Sequence, residues 1–273
     1  MILLGVISDE RAAHSLSPAM HNAVLAEQGL AGVYLPFAVE PAQLPAAVAG
    51  LRALGMTGVN VTVPHKEAAA ALADRLTPPA AALGAVNTLV LRDGVLEGHN
   101  TDVGGFVQAL GLAGFAPGGR RCLVLGAGGA ARAVVQALRE AGAASVQVAG
   151  RNLRRVEALT ERLGGQPLDL VQASERAGQA ELIVNATSVS SPSESLAMAA
   201  FASMLRLSGR CRLVMDINYG RQENIWARLA ETSGAAFCDG LSMLACQARQ
   251  SFFIWTGREV PLASFQGALE RAA

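Results

Sequence analysis

Three short polar clusters hold the residue types that could grip a small oxygenated anion and move a proton on it. Ser15 and Ser17 form the first, Asn60-Val61-Thr62-Val63-Pro64-His65-Lys66 the second, and Asn87 with Asn100-Thr101-Asp102 the third. Each is predicted to lie at the carboxyl end of a strand, the edge on which open α/β sheets bind ligands. Two hydroxyls at a helix start suit a small carboxylate, because free N–H groups and the helix dipole favour negative charge there. Thr62, Asn87 and Asp102 offer donors and acceptors matched to the hydroxyls of a polyol. Taken singly, each has an equal structural use. Ser17 reads as an N-cap with Pro18 at the first helical position, and Asp102 could cap the next helix. Lys66 stands apart, because the chain holds 22 Lys plus Arg and this is its one lysine. Arginine keeps its proton near neutral pH and lysine can release it, so Lys66 is the position where proton transfer is expected.

A second kind of chemistry is written between Arg120 and Arg155. Arg121-Cys122-Leu123-Val124-Leu125 has the apolar run of a buried parallel strand. Gly126-Ala127-Gly128-Gly129-Ala130-Ala131 breaks it, Arg132 to Ala141 is predicted as a helix ended by Gly142, and Ser145 to Ala149 gives the next strand. Strand, glycine turn, helix, strand is the spacing of a dinucleotide-binding unit. Gly126 permits the tight turn, Gly128 admits a pyrophosphate close to the backbone, and Ala131 is small enough for helix and strand to pack. The second strand ends in Gly150-Arg151-Asn152, followed by Arg154 and Arg155, with no acid before Glu157. A carboxylate there would serve the ribose hydroxyl of NAD, whereas a guanidinium fork suits a 2′-phosphate. Arg151 and Arg155 therefore point to NADP, and Arg154 needs no role beyond a solvated turn.

The elements that must position these groups read as α/β throughout. Leu3 to Ile7, Val33 to Val39 and Gly58 to Val63 are predicted strands. Helices are expected at Pro41 to Leu54 and Pro64 to Arg75, and a hairpin of Ala85 to Leu91 with Val95 to His99 closes at Asp93-Gly94. Thr101 to Leu112 is expected to be helical. Beyond the glycine unit come a helix, strands near Leu168 to Leu170, Glu181 to Asn185, Arg212 to Asp216 and Ala235 to Cys238, and helices at Leu241 to Trp255 and Leu262 to Ala272. The length of 273 residues allows two modest cores. A formal net charge of +0 removes any broad electrostatic case for nucleic acid or an anionic membrane. No uncharged apolar run has transmembrane length, the start Met1-Ile2-Leu3-Leu4-Gly5 lacks the pattern of a signal peptide, and the four cysteines show no metal-ligand spacing. A cytoplasmic protein without a bound metal is expected.

Ser-Leu-Ser-Pro, Asn-Val-Thr-Val-Pro-His-Lys, Gly84-Ala85-Val86-Asn87-Thr88, Asn100-Thr101-Asp102, Gly126 to Ala131, Asn185-Ala186-Thr187-Ser188 and Asp239-Gly240-Leu241 occur in this order. Over essentially its whole length the chain resembles the shikimate dehydrogenase family. The resemblance implies a substrate domain of residues 1–101 completed by 240–273, around a Rossmann-type NADP domain of residues 102–239. It implies reversible, NADP-dependent reduction of the 3-keto group of 3-dehydroshikimate, with Lys66 and Asp102 as the catalytic pair. Ser15 and Ser17 would bind the substrate carboxylate, and Thr62, Asn87, Tyr219 and Gln247 the rest of the substrate. Gly126, Ala127, Gly128, Gly129, Ala130, Arg151, Asn152, Arg155, Thr187, Ile217 and Gly240 would meet the coenzyme. The expected partners are small molecules alone, with neither nucleic acid nor membrane, and the protein a monomer or homodimer.

Departures from the family pattern gather on the coenzyme side. Gly150-Arg151-Asn152 stands where Asn-Arg-Thr is common, Val189-Ser190-Ser191 lacks the usual glycine, and Gly220-Arg221-Gln222-Glu223-Asn224 lacks the expected proline and threonine. Ser242 replaces a glycine, and Ser8-Asp9-Glu10-Arg11 lacks a proline. Two alternatives share the resemblance: a shikimate/quinate dehydrogenase-like paralogue with different substrate activity, and a catalytically weak NADP-binding regulatory protein. Retention of both Lys66 and Asp102 argues against the second, since a binder needs no proton donor.

Overall fold

The computed structural model describes residues 1–272. The chain divides into two compact units, Met1–Gly105 with the segment from Leu244 onward, and Phe106–Met243. Each cut falls inside a helix, Asp102–Leu112 or Leu241–Thr256, a few residues past the boundaries expected from the sequence. Among the described residues no helix is long and apolar enough to cross a membrane.

The first unit is built on a six-stranded sheet of β1 (Ile2–Ser8), β2 (Gly32–Ala38), β3 (Gly58–Val61), β4 (Arg75–Leu76), β5 (Thr88–Arg92) and β6 (Val95–His99). The spatial order is β2-β1-β3-β5-β6-β4, parallel from β2 to β3 and antiparallel through β3-β5-β6. The β5–β6 hairpin closes as the sequence indicates, with Asp93 at φ 51° and Gly94 at φ 78°, the two positive values a type I′ turn needs. The chain order reverses at β1, so the loops after β1 and β3 leave side by side, and Thr62 donates its N–H to the Ile7 carbonyl at 3.0 Å. Those two loops carry Ser15, Ser17, Thr62 and Lys66.

Several local expectations fail for physical reasons. Ser17 is not an N-cap but the first residue of the helix Ser17–Glu27; Ser15 Oγ, two residues earlier, accepts the Ser17 N–H at 3.2 Å. Asp102 likewise opens its helix, and Asn100 Oδ1 accepts the Asp102 N–H at 3.0 Å, so the carboxylate is released from capping. The segment 64–75 is not one helix: only Lys66–Leu72 is helical, and Arg75–Leu76 pairs with β6 as β4. Glu10–His14 forms a 3-10 turn, capped by Asp9, where a loop is expected.

The second unit holds a fully parallel sheet of β7 (Arg121–Leu125), β8 (Ser145–Ala149), β9 (Gln166–Leu168), β10 (Leu182–Asn185), β11 (Leu213–Asp216) and β12 (Ala236–Cys238). Its order is β12-β11-β10-β7-β8-β9, so the switch in direction lies between β7 and β10. In such sheets the ligand crevice opens beyond the carboxyl ends of the strands at that switch. The helix after β7 starts at Gly129 rather than at Arg132, and it buries Ala131, Val134, Val135 and Leu138 against the sheet. The alanine-rich helix Leu196–Met204 and the helix Ile225–Ser233 fall in stretches not assigned from the sequence.

In the first unit's core, His21 is fully buried and stacked on Tyr34 with ring centroids 4.5 Å apart, edged by Trp255 and Phe265. Neither ring nitrogen has a hydrogen-bond partner among the described residues, and burial pushes the pKa down to about 3. The imidazole is therefore neutral when folded and protonates near pH 6.5 when unfolded, so it subtracts stability as pH falls from about 6.5 toward 3. Between pH 6.5 and 5 this costs about 2 kcal/mol, at about 1.4 kcal/mol per unit. His21→Phe should keep the aromatic packing and remove that slope. Urea unfolding at pH 5 and pH 7 checks it, and equal pH dependence in both proteins would contradict a neutral buried imidazole.

Candidate active site

Within the first unit, the structure brings together four of the residues singled out from the sequence. Lys66 is the first residue of its helix, whose start is held by His65: its Nε2–H donates to the Val39 carbonyl at 2.8 Å. Lys66 Nζ donates to Asp102 Oδ2 at 2.7 Å, with the two side chains only 13% and 6% exposed. Asn87 Nδ2 donates to the other oxygen, Asp102 Oδ1, at 2.8 Å. Asn87 Oδ1 accepts the Thr101 N–H at 2.8 Å, which fixes which way its amide points. Gln247 Oε1 completes the group, 3.3 Å from both Asn87 Nδ2 and Thr101 Oγ1. A carboxylate gripped on both oxygens is a fixed charge, and Lys66 Nζ keeps further N–H groups with Asp102 as its one protein partner among the described residues.

This geometry gives Asn87 a structural part beside the substrate contact expected of it. Its two Nδ2 hydrogens already face three acceptors, Asp102 Oδ1, Thr101 Oγ1 and Gln247 Oε1, and its Oδ1 faces Thr101 and Thr88. Asn87 thus braces Asp102. Behind it lies a buried layer that the sequence did not reveal. Ser251 Oγ stands 2.8 Å from Thr88 Oγ1 and 3.1 Å from Thr101 Oγ1, and Asn60 Nδ2 reaches Ser251 Oγ at 3.2 Å while Tyr34 donates its O–H to Asn60 Oδ1. Ser251 and Asn60 are 191 residues apart, a separation no local pattern signals. Gly105 is a further missed residue: a Cβ there would lie 2.7 Å from Gln247 Cβ, so only glycine lets the Gln247 helix come this close.

Ser15, Ser17 and Thr62 make no hydrogen bond to that cluster. Ser17 is buried, yet its Oγ has no hydrogen-bond partner among the described residues, and the same holds for Thr62 Oγ1. Ser15 Oγ accepts the Ser17 N–H and keeps its own proton to donate. Each of these hydroxyls can donate a hydrogen bond. Tyr219 belongs to the second unit, where it borders a cavity of about 330 Å³ with Phe237 and Asp239; Lys66, Asp102, Asn87 and Gln247 do not line that space.

On the parallel sheet, Gly126 follows β7 with φ +123°, and a Cβ there would stand 2.6 Å from the Ala186 carbonyl oxygen after β10. Glycine is obligatory at the switch point for that reason. Gly128 has an ordinary φ of −92° and no atom within 4 Å of a Cβ position, so it faces open space. The helix from Gly129 has no side-chain cap, which leaves the N–H groups around Ala127 to Ala130 for an anion. At the end of β8, Arg151, Asn152 and Arg155 are exposed; Asn152 Oδ1 accepts the Arg155 N–H at 3.2 Å and so caps the helix Leu153–Leu163. Thr187 donates its hydroxyl to Asn185 Oδ1 at 2.7 Å. Gly240 packs directly on the Ile217 carbonyl, where a Cβ would intrude to 2.1 Å, so Gly240 supports Ile217 from behind. An uncapped helix start, an open Gly128 and an arginine pair fit a dinucleotide carrying a 2′-phosphate.

Three family models match the chain in succession. The shikimate dehydrogenase substrate binding domain covers residues 7–89, the shikimate / quinate 5-dehydrogenase model residues 115–238, and the shikimate 5′-dehydrogenase C-terminal domain residues 240–270. A shikimate dehydrogenase (NADP(+)) of Geobacter metallireducens is 43% identical over 260 residues, 91% of this chain and 89% of that protein. The crystal structure of the Thermus thermophilus shikimate 5-dehydrogenase in complex with NADP(H) and shikimate superposes with a TM-score of 0.86 at 38% identity, covering 100% of both chains. Quinate dehydrogenase of Corynebacterium glutamicum in complex with NAD gives a TM-score of 0.84 at 30% identity, covering 99% of each. The chain belongs to the shikimate dehydrogenase family.

Proposed function

We propose that this chain is an NADP-dependent shikimate dehydrogenase that interconverts 3-dehydroshikimate and shikimate. The observation that carries this reading is the buried Lys66–Asp102 pair at 2.7 Å, braced by Asn87 and accompanied by the unpartnered hydroxyls of Ser17 and Thr62. The named activity of the Geobacter relative and the ligands of the Thermus structure support it. Bound NADPH supplies a hydride to the carbonyl carbon. As charge grows on the carbonyl oxygen, Lys66 stabilises it and delivers a proton from Nζ; in the oxidation direction Lys66 takes the proton back. Asp102 stays charged and fixes the ammonium in place, and Asn87 holds Asp102. Ser15 and Ser17 donate to the substrate carboxylate, and Thr62 and Gln247 to its ring hydroxyls. Gly126 to Ala130 receive the pyrophosphate, and Arg151 with Arg155 the 2′-phosphate.

Steady-state rates with shikimate and quinate, each against NADP and NAD, test the assignment. Shikimate with NADP should give the highest kcat/KM, because quinate carries an extra hydroxyl beside its carboxylate and needs room next to buried Ser17. Replacing Ser15 and Ser17 together by Ala should raise the KM for shikimate by about tenfold or more, as expected when hydrogen bonds to a charged group are lost. An analogue lacking the carboxylate should lose little. Higher kcat/KM for quinate would move the chain to the quinate-using branch, and no turnover with either would reject the dehydrogenase assignment.

A further inference from the structure

Asp216 ends β11 as a fully buried carboxylate that forms no ion pair among the described residues. Neutral donors take the place of a cation. Oδ1 accepts from Asn185 Nδ2 at 2.8 Å, from the Asn218 N–H at 3.1 Å and from Asn218 Nδ2 at 3.0 Å, while Oδ2 accepts from Asn224 Nδ2 at 2.7 Å. Beside it, the Ser190 hydroxyl accepts from Asn218 Nδ2 at 3.0 Å. A buried charge held only by amide N–H groups is costly, since burial raises its pKa and each lost donor exposes the desolvation penalty. Its donors lie on two segments, at the end of β10 and after β11. Asn185 in turn accepts from Thr187 N–H and Oγ1, and Asn218 Nδ2 donates to the Thr187 carbonyl at 2.8 Å. Asn224 caps the helix Ile225–Ser233 through the N–H groups of Trp226 and Ala227. The segments 185–190 and 216–224 are thus tied to one carboxylate at the carboxyl ends of β10 and β11.

Their place in the sheet gives this a function. With pyrophosphate at the β7 turn and the arginines after β8, the far half of a dinucleotide must extend over β10 and β11. We propose that Asp216 is a positioning residue for the nicotinamide half of the coenzyme, holding the segments that carry Thr187 and Ile217. This rests on the proposed function, in which those two residues meet the coenzyme. Asp216 touches neither substrate nor coenzyme; it acts through Asn185 and Asn218.

Asp216→Asn keeps an acceptor for Asn185 and Asn218 but turns an NH2 group toward the Asn224 NH2, so two donors collide. Adding Asn224→Asp restores the bond in reverse, with Asn at 216 donating and Asp at 224 accepting while still able to cap Trp226 and Ala227. Asp216→Asn should weaken NADP binding by about tenfold and lower kcat similarly, the size of one charge-assisted hydrogen bond, while leaving the Kd for 2′,5′-ADP unchanged. The double variant should recover most of both losses. Calorimetric titration with NADP and with 2′,5′-ADP, alongside kcat, reads all of this. Should Asp216→Asn be insoluble, Asn218→Ala removes one arm and should show the same split between the two ligands. Wild-type NADP binding and kcat in Asp216→Asn, equal weakening of 2′,5′-ADP, or no rescue by Asn224→Asp would each overturn the proposal. Thr187→Ala separates the two levels: if it leaves NADP binding and kcat intact, the coenzyme role of Thr187 falls and the proposal with it. If Thr187→Ala impairs them and Asp216→Asn does not, only the positioning role is lost.

Discussion

Lys66→Arg is expected to lower kcat by about 10²–10⁴-fold, the usual worth of a positioned acid–base group, with a much smaller change in the KM for shikimate. Arginine is the informative replacement because of the burial around this pair. Removing the positive charge would strand the 6%-exposed Asp102 carboxylate, and breaking a buried pair by truncating one partner costs about 3–5 kcal/mol, so lost activity would be confounded with lost fold. A guanidinium can still pair with Asp102 and still stabilise charge on the carbonyl oxygen. With a pKa above about 12 it stays protonated and cannot take the proton back during shikimate oxidation. Charge stabilisation and proton transfer are thereby separated in one protein. Asp102→Asn should also lower kcat, and the double variant should lose less than the product of the two, as residues acting as a unit do. Asn87→Ala belongs to the same unit: it frees Asp102 Oδ1, so its effect should appear in kcat more than in KM. Turnover near wild type in Lys66→Arg, with normal NADP affinity, would show that Lys66 is not the group that exchanges the proton.

Which parts of this arrangement the sequence disclosed follows from the range of the interactions involved. The glycine turn after β7 was legible because strand, turn and helix are contiguous, and the close contact of Gly126 with the Ala186 carbonyl explains why glycine stands there. The β5–β6 hairpin was legible because Asp-Gly tolerates two positive φ angles. Lys66 and Asp102 stood out by type and resemblance, although the 2.7 Å contact between residues 36 apart follows only from the sheet. Capping is not legible at Ser17 or Asp102 for one reason: a polar residue near a helix start can cap or be released from capping, and Ser15 and Asn100 bond those backbone N–H groups instead. Helix Leu196–Met204, Leu-Ala-Met-Ala-Ala-Phe-Ala-Ser-Met, is apolar on nearly every side and so offers no period to read. Asp216 and His21 carry no signal in the sequence, because a buried polar side chain is recognised by its surroundings, and those come from distant segments.

Replacing Arg151 and Arg155 together by Ala should raise the KM for NADP by about 10²-fold or more and change that for NAD little. Each charge-assisted contact to a phosphate contributes about 1.5–3 kcal/mol, roughly tenfold or more, and NAD has no phosphate to lose. The structure makes this a clean test. Both side chains are exposed at the end of β8, and the helix cap is Asn152 Oδ1 on the backbone N–H of Arg155, a bond that truncating the side chain leaves in place. The first turn of that helix holds no acidic residue, so its arginines sit against the positive end of the dipole. Thermal unfolding of the double variant, read beside its kinetics, separates a loss confined to NADP from a loss of fold. Arg154→Ala removes the same charge from the same turn, and should change the KM for NADP by far less if geometry rather than net charge selects the phosphate. Raising ionic strength should weaken NADP more than NAD in the wild type and narrow that difference in the double variant, because salt screens an exposed phosphate–arginine contact. Equal losses for NADP and NAD in the double variant would mean that the arginines hold some part common to both coenzymes. A loss in Arg154→Ala about half that of the double variant on a logarithmic scale, in keeping with one charge removed against two, would mean that the turn selects by charge alone.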